Sequence, residues 1–309
     1  MARSEKRLTV LAPVLTPAIE SEVAALMGRF DLTEQRATRL ASRGEGAALD
    51  AIEYVVSAPV AQDDPQWQAL RHAALEVSEA HPVDIVLMEA GERAFELVCF
   101  DMDSTLIKAE VIDELAKRHG VGELVAEVTE RAMRGELDFK ASFRERMAKL
   151  EGLSETVLES IALELPLMDG AERLMKNLKR LGYRTAILSG GFTYFARHLQ
   201  TRLGFDEIHA NELVIRDGLV TGETSEPIVD AERKALLLEE IAHREGLSLA
   251  HTVAVGDGAN DLKMLAKAGM GVAYHAKPLV RAKAQLAVST VGLDGLLYLL
   301  GHAEDALSR

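Results

Sequence analysis

The chain carries one cysteine, Cys99, among its 309 residues. A disulfide within the chain is therefore excluded, which fits a reducing, cytoplasmic setting. Cys99 stands inside an apolar run and is expected to be a small core side chain, not a reactive thiol. Basic residues are the minority charge, with 35 Lys and Arg against 49 Asp and Glu and a net charge of −14. No basic footprint for a phosphate backbone follows from such a balance, so no nucleic-acid partner is expected. Runs of 18 apolar residues are also missing, which leaves no helical membrane span and no membrane partner. Near the start, Arg3, Lys6 and Arg7 precede an apolar run from Leu8 to Ile19, superficially like a signal peptide. Pro13 and Pro17 interrupt that run and Glu20 and Glu22 follow it, so a first strand at Leu8–Leu11 is the better expectation.

What is present suits an ordinary globular protein of about two domains: 48% hydrophobic and 27% charged residues. Residues 1–90 read as a small α+β unit. Strands are expected at 8–11, 51–57 and 83–88, and helices at 19–30 and 67–78, while 32–40 fits either state. Strand, helix, two strands, helix, strand is the ferredoxin-like split order. Ala90-Gly91-Glu92-Arg93 is the expected joint, and residues 91–309 form the second domain. There the strand ending at Phe100 is followed by a helical insertion over about 109–165. Strands at 183–188, 208–215, 252–255, 271–274 and 286–288 alternate with helices, which predicts a Rossmann-like α/β parallel sheet. Asp217-Gly218 marks a hairpin turn.

Three strand ends carry polar motifs, and a parallel sheet brings such ends to one edge. Asp101 and Asp103 follow an apolar strand at spacing i, i+2, so both carboxylates share a face roughly 6–7 Å apart. Two like charges this close call for a shared proton or a shared cation, and a hard divalent ion such as magnesium fits oxygen-only ligands. The plainer alternative makes Asp103 the N-cap of the next helix. Ser189-Gly190-Gly191 is expected to open a helix, its exposed N–H groups and the helix dipole favouring a phosphate; alternatively it is a tight turn with Ser189 as N-cap. Gly256-Asp257-Gly258-Ala259-Asn260-Asp261 supplies further carboxylates and an amide, or else an acidic cap on helix 262–267.

Together with Lys234 in Asp230-Ala231-Glu232-Arg233-Lys234, these motifs resemble the haloacid dehalogenase superfamily, and within it the phosphoserine phosphatases of serine biosynthesis. The likeness runs from about Phe100 to Thr290, with shorter stretches at Ala132-Met133, Gly135, Phe139 and Arg144 to Arg146. It implies a haloacid dehalogenase-like fold with a mobile helical cap, and hydrolysis of O-phosphoserine through an aspartyl-phosphate. On it, Asp101 is the nucleophile and Asp103 the general acid and base. Mg2+ is held by Asp101, the Asp103 backbone carbonyl and Asp257, with Asp261 behind the metal or orienting Lys234. Ser189, Gly190, Lys234 and Asn260 would contact the phosphate. Glu110 would take the substrate ammonium and Arg146 its carboxylate, with Met133 and Phe139 beside them. Helical spacing supports the choice of arginine: Phe139, Phe143, Met147 and Leu150 form a stripe, with Arg146 roughly 55° and Arg144 about 105° from its centre. Residues 1–90 resemble the ACT regulatory domains, but Ala12-Pro13-Val14-Leu15-Thr16-Pro17 lacks their ligand-loop glycine. Effector sensing and a packing or homodimer role both stay open. Two further functions stay open: action on another phosphomonoester or transfer to an acceptor alcohol, and a binding protein with a decayed site. Against the latter, no nucleophile or metal aspartate is missing.

Overall fold

The computed structural model describes residues 4–59 and 65–308. Arg3, one of the N-terminal basic residues, lies outside them. The chain divides into two compact units, one of residues 1–95, 169–177 and 272–309, the other of residues 96–168 and 178–271.

The first unit holds a four-stranded antiparallel sheet of β1 (Ser4–Ala12), β2 (Thr33–Ala41), β3 (Asp50–Ala58) and β4 (Asp84–Glu89), in the order β2-β3-β1-β4. With helices Pro17–Arg29 and Pro65–Ala80 this is the ferredoxin-like split motif. Thr16 opens the first helix by accepting the Ile19 N–H at 3.4 Å, and Pro17 sits at the first helical position, where its missing N–H costs nothing. Alternate residues of the strands, Leu8, Val10 and Ala12 with Ile85 and Leu87, face Ile19, Val23, Leu26, Trp67 and Leu70 of the helices. The ambiguous stretch 32–40 is strand β2. It is an edge strand whose first seven residues are exposed, so neither period could show in its sequence. Asp84 on β4 accepts the N–H groups of Ser289 at 2.8 Å and Thr290 at 2.9 Å, tying the sheet to the C-terminal segment of the same unit.

In the second unit, β5 (Leu97–Phe100) lies between β6 (Arg184–Phe192) and β10 (Thr252–Gly256), and β7 (Glu207–Asn211) pairs with β6, all parallel. Strands β5 and β10 are buried along their whole length, as a two-faced parallel sheet requires. A pair of short strands, β8 (Ile215–Arg216) and β9 (Leu219–Val220), forms the expected hairpin. Asp217 at φ 52° and Gly218 at φ 75° give both central turn residues the positive φ of a type I′ turn. The expected strand 208–215 is corrected: β7 stops at Asn211 and the chain re-forms only in the hairpin. Strands β11 (Met270–Tyr274) and β12 (Leu286–Val288) pair in parallel. Among the described residues no helix is long and apolar enough to cross a membrane.

The insertion consists of helices Val111–His119, Gly122–Met133, Phe139–Ala148 and Glu155–Glu164. The hairpin is bonded to it, an arrangement that needs tertiary contact and has no sequence signature. Gly152 N–H donates to Val220, Val220 N–H to Leu153 and Glu155 N–H to Gly218, each at 2.8 Å. Gly222 then passes so close to the end of helix Phe139–Ala148 that a Cβ there would lie 3.2 Å from Ala148 Cα. Arg144 on that helix pairs with Glu226, and Lys140 lies 3.4 Å from Asp230.

Candidate active site

Asp101 follows β5 directly, and its N–H donates to Val255 of β10 at 2.9 Å, so the carboxylate leaves from the end of the sheet. Its Oδ1 accepts the Met102 N–H at 2.8 Å and the Lys234 ammonium at 2.8 Å. Lys234, fully buried, also donates to Asp261 Oδ1 at 2.8 Å. It arrives there because Asp230 N-caps helix Ala231–Arg244, accepting the Arg233 N–H at 2.9 Å, and so fixes where the first turn starts. Asp261 Oδ2 accepts the Gly258 N–H at 2.9 Å, which folds the loop after β10 back on itself. Asp257 is held from another side by the Thr105 hydroxyl at 3.2 Å.

Asp101, Asp257 and Asp261 each offer an oxygen within 4.8 Å of the others. One ammonium against three carboxylates leaves negative charge in excess. Burial first, then Asp261 and Asp257, push the Asp101 carboxyl up to about 8 in spite of Lys234. Burial and the charges of Asp261 and Glu110 raise Asp257 to about 6. Burial works against the Lys234 ammonium, yet Asp101 and Asp261 hold it above its ordinary value. A divalent cation fits this oxygen-only, charge-deficient donor set. Asp261 belongs to the cluster by distance, although both its oxygens are already bonded to the protein.

Asp103 is not the N-cap expected from its position, because the next helix begins only at Val111, with Glu110 before it. Its carboxylate nonetheless receives the Val111 N–H, while its Oδ1 is buried without a partner. Burial, then Glu110 and Asp101, raise its pKa well above the carboxylate range. Cys99, fully buried in β5, has its thiol pushed up by burial, as expected for a core side chain.

Ser189-Gly190-Gly191 does not open a helix. These residues extend β6, which runs on to Phe192, and the helix starts at Thr193 without a side-chain cap. The pairing of β6 with β7 slips between Leu188 and Phe192, so the motif is a bulge that frees its backbone from the ladder. Ser189 Oγ accepts the Gly191 N–H at 2.9 Å. Gly191 is closely surrounded: a Cβ would stand 2.8 Å from Met102 Cε, 3.0 Å from Asp103 Oδ2 and 3.1 Å from Ser189 Oγ. That crowding brings Ser189 and Asp103 to one spot.

From the insertion, Phe139 reaches this edge, its Cζ 3.3 Å from where a Gly190 Cβ would be, and it stacks on Phe143 at 6.2 Å. Arg146 is largely buried with its Nε unpartnered; burial lowers its pKa against the charges of Asp113 and Glu110. Arg144 points to the surface ion pair with Glu226. Glu110 is exposed and accepts the Ser104 hydroxyl at 2.7 Å. Asn260 lies in the loop with its Oδ1 2.1 Å from a hypothetical Gly258 Cβ. Met133 is 77% exposed at the end of its helix. Thr105 and Asn211 were missed by sequence reasoning. Both are polar residues just past or at the end of a sheet strand, which is the one signal that could have found them.

Residues 95–269, more than half the chain, match the family described as haloacid dehalogenase-like hydrolase. A phosphoserine phosphatase of Streptomyces coelicolor is 44% identical over 296 residues, covering 95% of this chain and 70% of that protein. One from Vibrio cholerae is 50% identical over 207 residues, covering 67% of this chain. The chain spans 63% of that relative's length. Among solved structures, a probable phosphoserine phosphatase from Vibrio cholerae, unliganded, superposes with a TM-score of 0.74 at 38% identity, covering 97% of this chain and 88% of that one. The buried Asp101–Lys234–Asp261 cluster therefore stands in a recognised setting, and the chain belongs to the haloacid dehalogenase-like hydrolases.

Proposed function

We propose that this chain is a magnesium-dependent phosphoserine phosphatase, hydrolysing O-phosphoserine to serine and phosphate, with residues 91–309 as its catalytic domain. The observation that carries the reading is the fully buried Lys234 ammonium bridging Asp101 and Asp261 at 2.8 Å each, beside Asp257. Phosphoryl transfer asks little covalent chemistry of a protein and much positioning and charge compensation, which this cluster supplies.

Asp101 attacks phosphorus. Its Oδ1 is engaged by Lys234 and the Met102 N–H, which assigns the attack to Oδ2. As the Asp101 O–P bond forms, the P–O bond to serine breaks, and Asp103 donates a proton to the leaving oxygen. A carboxyl whose pKa is held high by burial and by Glu110 and Asp101 is suited to that donation. Asp103 then takes a proton from the water that attacks phosphorus, and the Asp101–phosphorus bond breaks to release phosphate. Ser189, Gly190, Lys234 and Asn260 grip the phosphoryl oxygens throughout, with Asp261 steadying Lys234. Magnesium held by Asp101, Asp257 and the Asp103 carbonyl would neutralise charge on those oxygens.

The substrate's other end is read by the cap. Arg146, its Nε buried and unpartnered, takes the carboxylate, and Glu110 takes the ammonium. The test is a panel of phosphomonoesters assayed with magnesium or a chelator, and with or without acceptor alcohols. Phosphoserine is expected to be turned over fastest, only with the metal, releasing serine and phosphate in equal amounts. A faster phosphomonoester without a carboxylate, or phosphate appearing on the alcohol, would overturn the reading.

A further inference from the structure

We infer that Asn211 is a positioning residue that sets the hydroxyl of Ser189 for the phosphoryl group; the inference rests on the function proposed above. Asn211 ends β7 and is 3% exposed. Its side-chain amide is used at both ends: Nδ2 donates to Gly190 O at 2.8 Å, and Oδ1 accepts the Val229 N–H at 2.8 Å. It stands where β6 slips out of register with β7, so the side chain replaces the ladder bond that the bulge has given up.

The consequence follows from peptide geometry. The Gly190 carbonyl and the Gly191 N–H belong to one planar trans unit and point in opposite directions. Holding the carbonyl on Asn211 therefore aims the Gly191 N–H away from it, and that N–H donates to Ser189 Oγ at 2.9 Å. An oxygen that accepts on one side is left to donate its own proton elsewhere. Asn211 thus fixes, through one rigid peptide, which way the Ser189 hydroxyl donates. Without it the Gly190–Gly191 plane is free to turn, because glycines resist rotation less than any other residue. Through Val229 the same amide anchors the approach to the helix that carries Lys234.

The experiment is a double-mutant cycle on the full chain. Asn211→Ala and Asn211→Asp are made in the wild-type and Ser189→Ala backgrounds, with kcat and KM measured alongside thermal unfolding. Asn211→Asp keeps the volume and the acceptor for Val229 while replacing the amide donor to Gly190 by a carboxyl oxygen, and serves should the alanine variant fail to fold. In the wild-type background either change should lower kcat about tenfold to hundredfold, the range for residues that orient a binding group. In the Ser189→Ala background the further loss should shrink to within about twofold, since the group being oriented is gone. Equal losses in both backgrounds would overturn the inference and make Asn211 a packing residue. If the wild type prefers a different phosphomonoester, the cycle is run on that substrate. The substrate reading then falls, and the coupling between Asn211 and Ser189 still stands or falls by itself.

Discussion

In the antiparallel sheet, Lys6 is 1% exposed, bonded to Glu89 and set 4.8 Å over the Trp67 ring. Glu53, 5% exposed, meets Arg93 at 2.7 Å and Arg7 at 3.8 Å. Each of these two buried charges has its opposite within the protein. At the end of the parallel sheet the count does not close: Asp101, Asp257 and Asp261 gather around the single ammonium of Lys234, with Asp103 close by. Burying an unmatched charge is costly, so a fold tolerates the imbalance only where something that binds will supply the remainder. The first cluster is compensated from within, and the donor set of the second fits a cation.

Four substitutions and one control break or sharpen that contrast. Asp101→Asn removes the proposed nucleophile with almost no change of shape. Phosphoserine turnover should vanish while the unfolding transition stays, and a folded variant keeping more than about a few per cent of turnover would contradict the role. Lys234→Ala strips the ammonium from the cluster and leaves three carboxylates gathered without it. It should abolish turnover and lower stability by about 3–5 kcal/mol, read by denaturant unfolding, and unchanged stability would show the pair to be dispensable.

Arg146→Ala should reduce kcat/KM for phosphoserine by about 2–5 kcal/mol, thirtyfold to several thousandfold, and do little to a phosphomonoester lacking a carboxylate. Arg144→Ala, removing an exposed pair worth about 0–1 kcal/mol, is the control. Equal losses on both substrates would reassign Arg146. Glu53→Ala has the smallest effect on chemistry. It should cost about 3–5 kcal/mol of stability by leaving Arg93 short of its partner, yet turnover per folded molecule should not move. A change in KM for phosphoserine would mean the two clusters are not separate in kind.

The Asp101 end of β5 was legible because a four-residue apolar strand running into acid is a local signal. The three motifs at strand ends were legible together because the parallel sheet puts them on one edge. Lys234 was not visible from pattern, since a lysine in a helix is ordinarily solvated; only the likeness to a family pointed to it. Ser189-Gly190-Gly191 was placed correctly and misread in form, because paired glycines suit a helix start and a strand bulge alike. Exposure on both faces erased the period of β2. Asn211 escaped because one asparagine carries no spacing to read.

The segment from the hairpin to Lys234 works as a ruler. It is clasped to the insertion by Val220, presses Gly222 against the end of helix Phe139–Ala148, lies by that helix again at Glu226 and Asp230, and enters the next helix three residues before Lys234. The helix bearing Arg146 and the helix bearing Lys234 are thereby spaced by a measured length of chain. Lengthening that stretch by one residue would put Gly222, Glu226 and Asp230 out of step with their partners on the first of those helices.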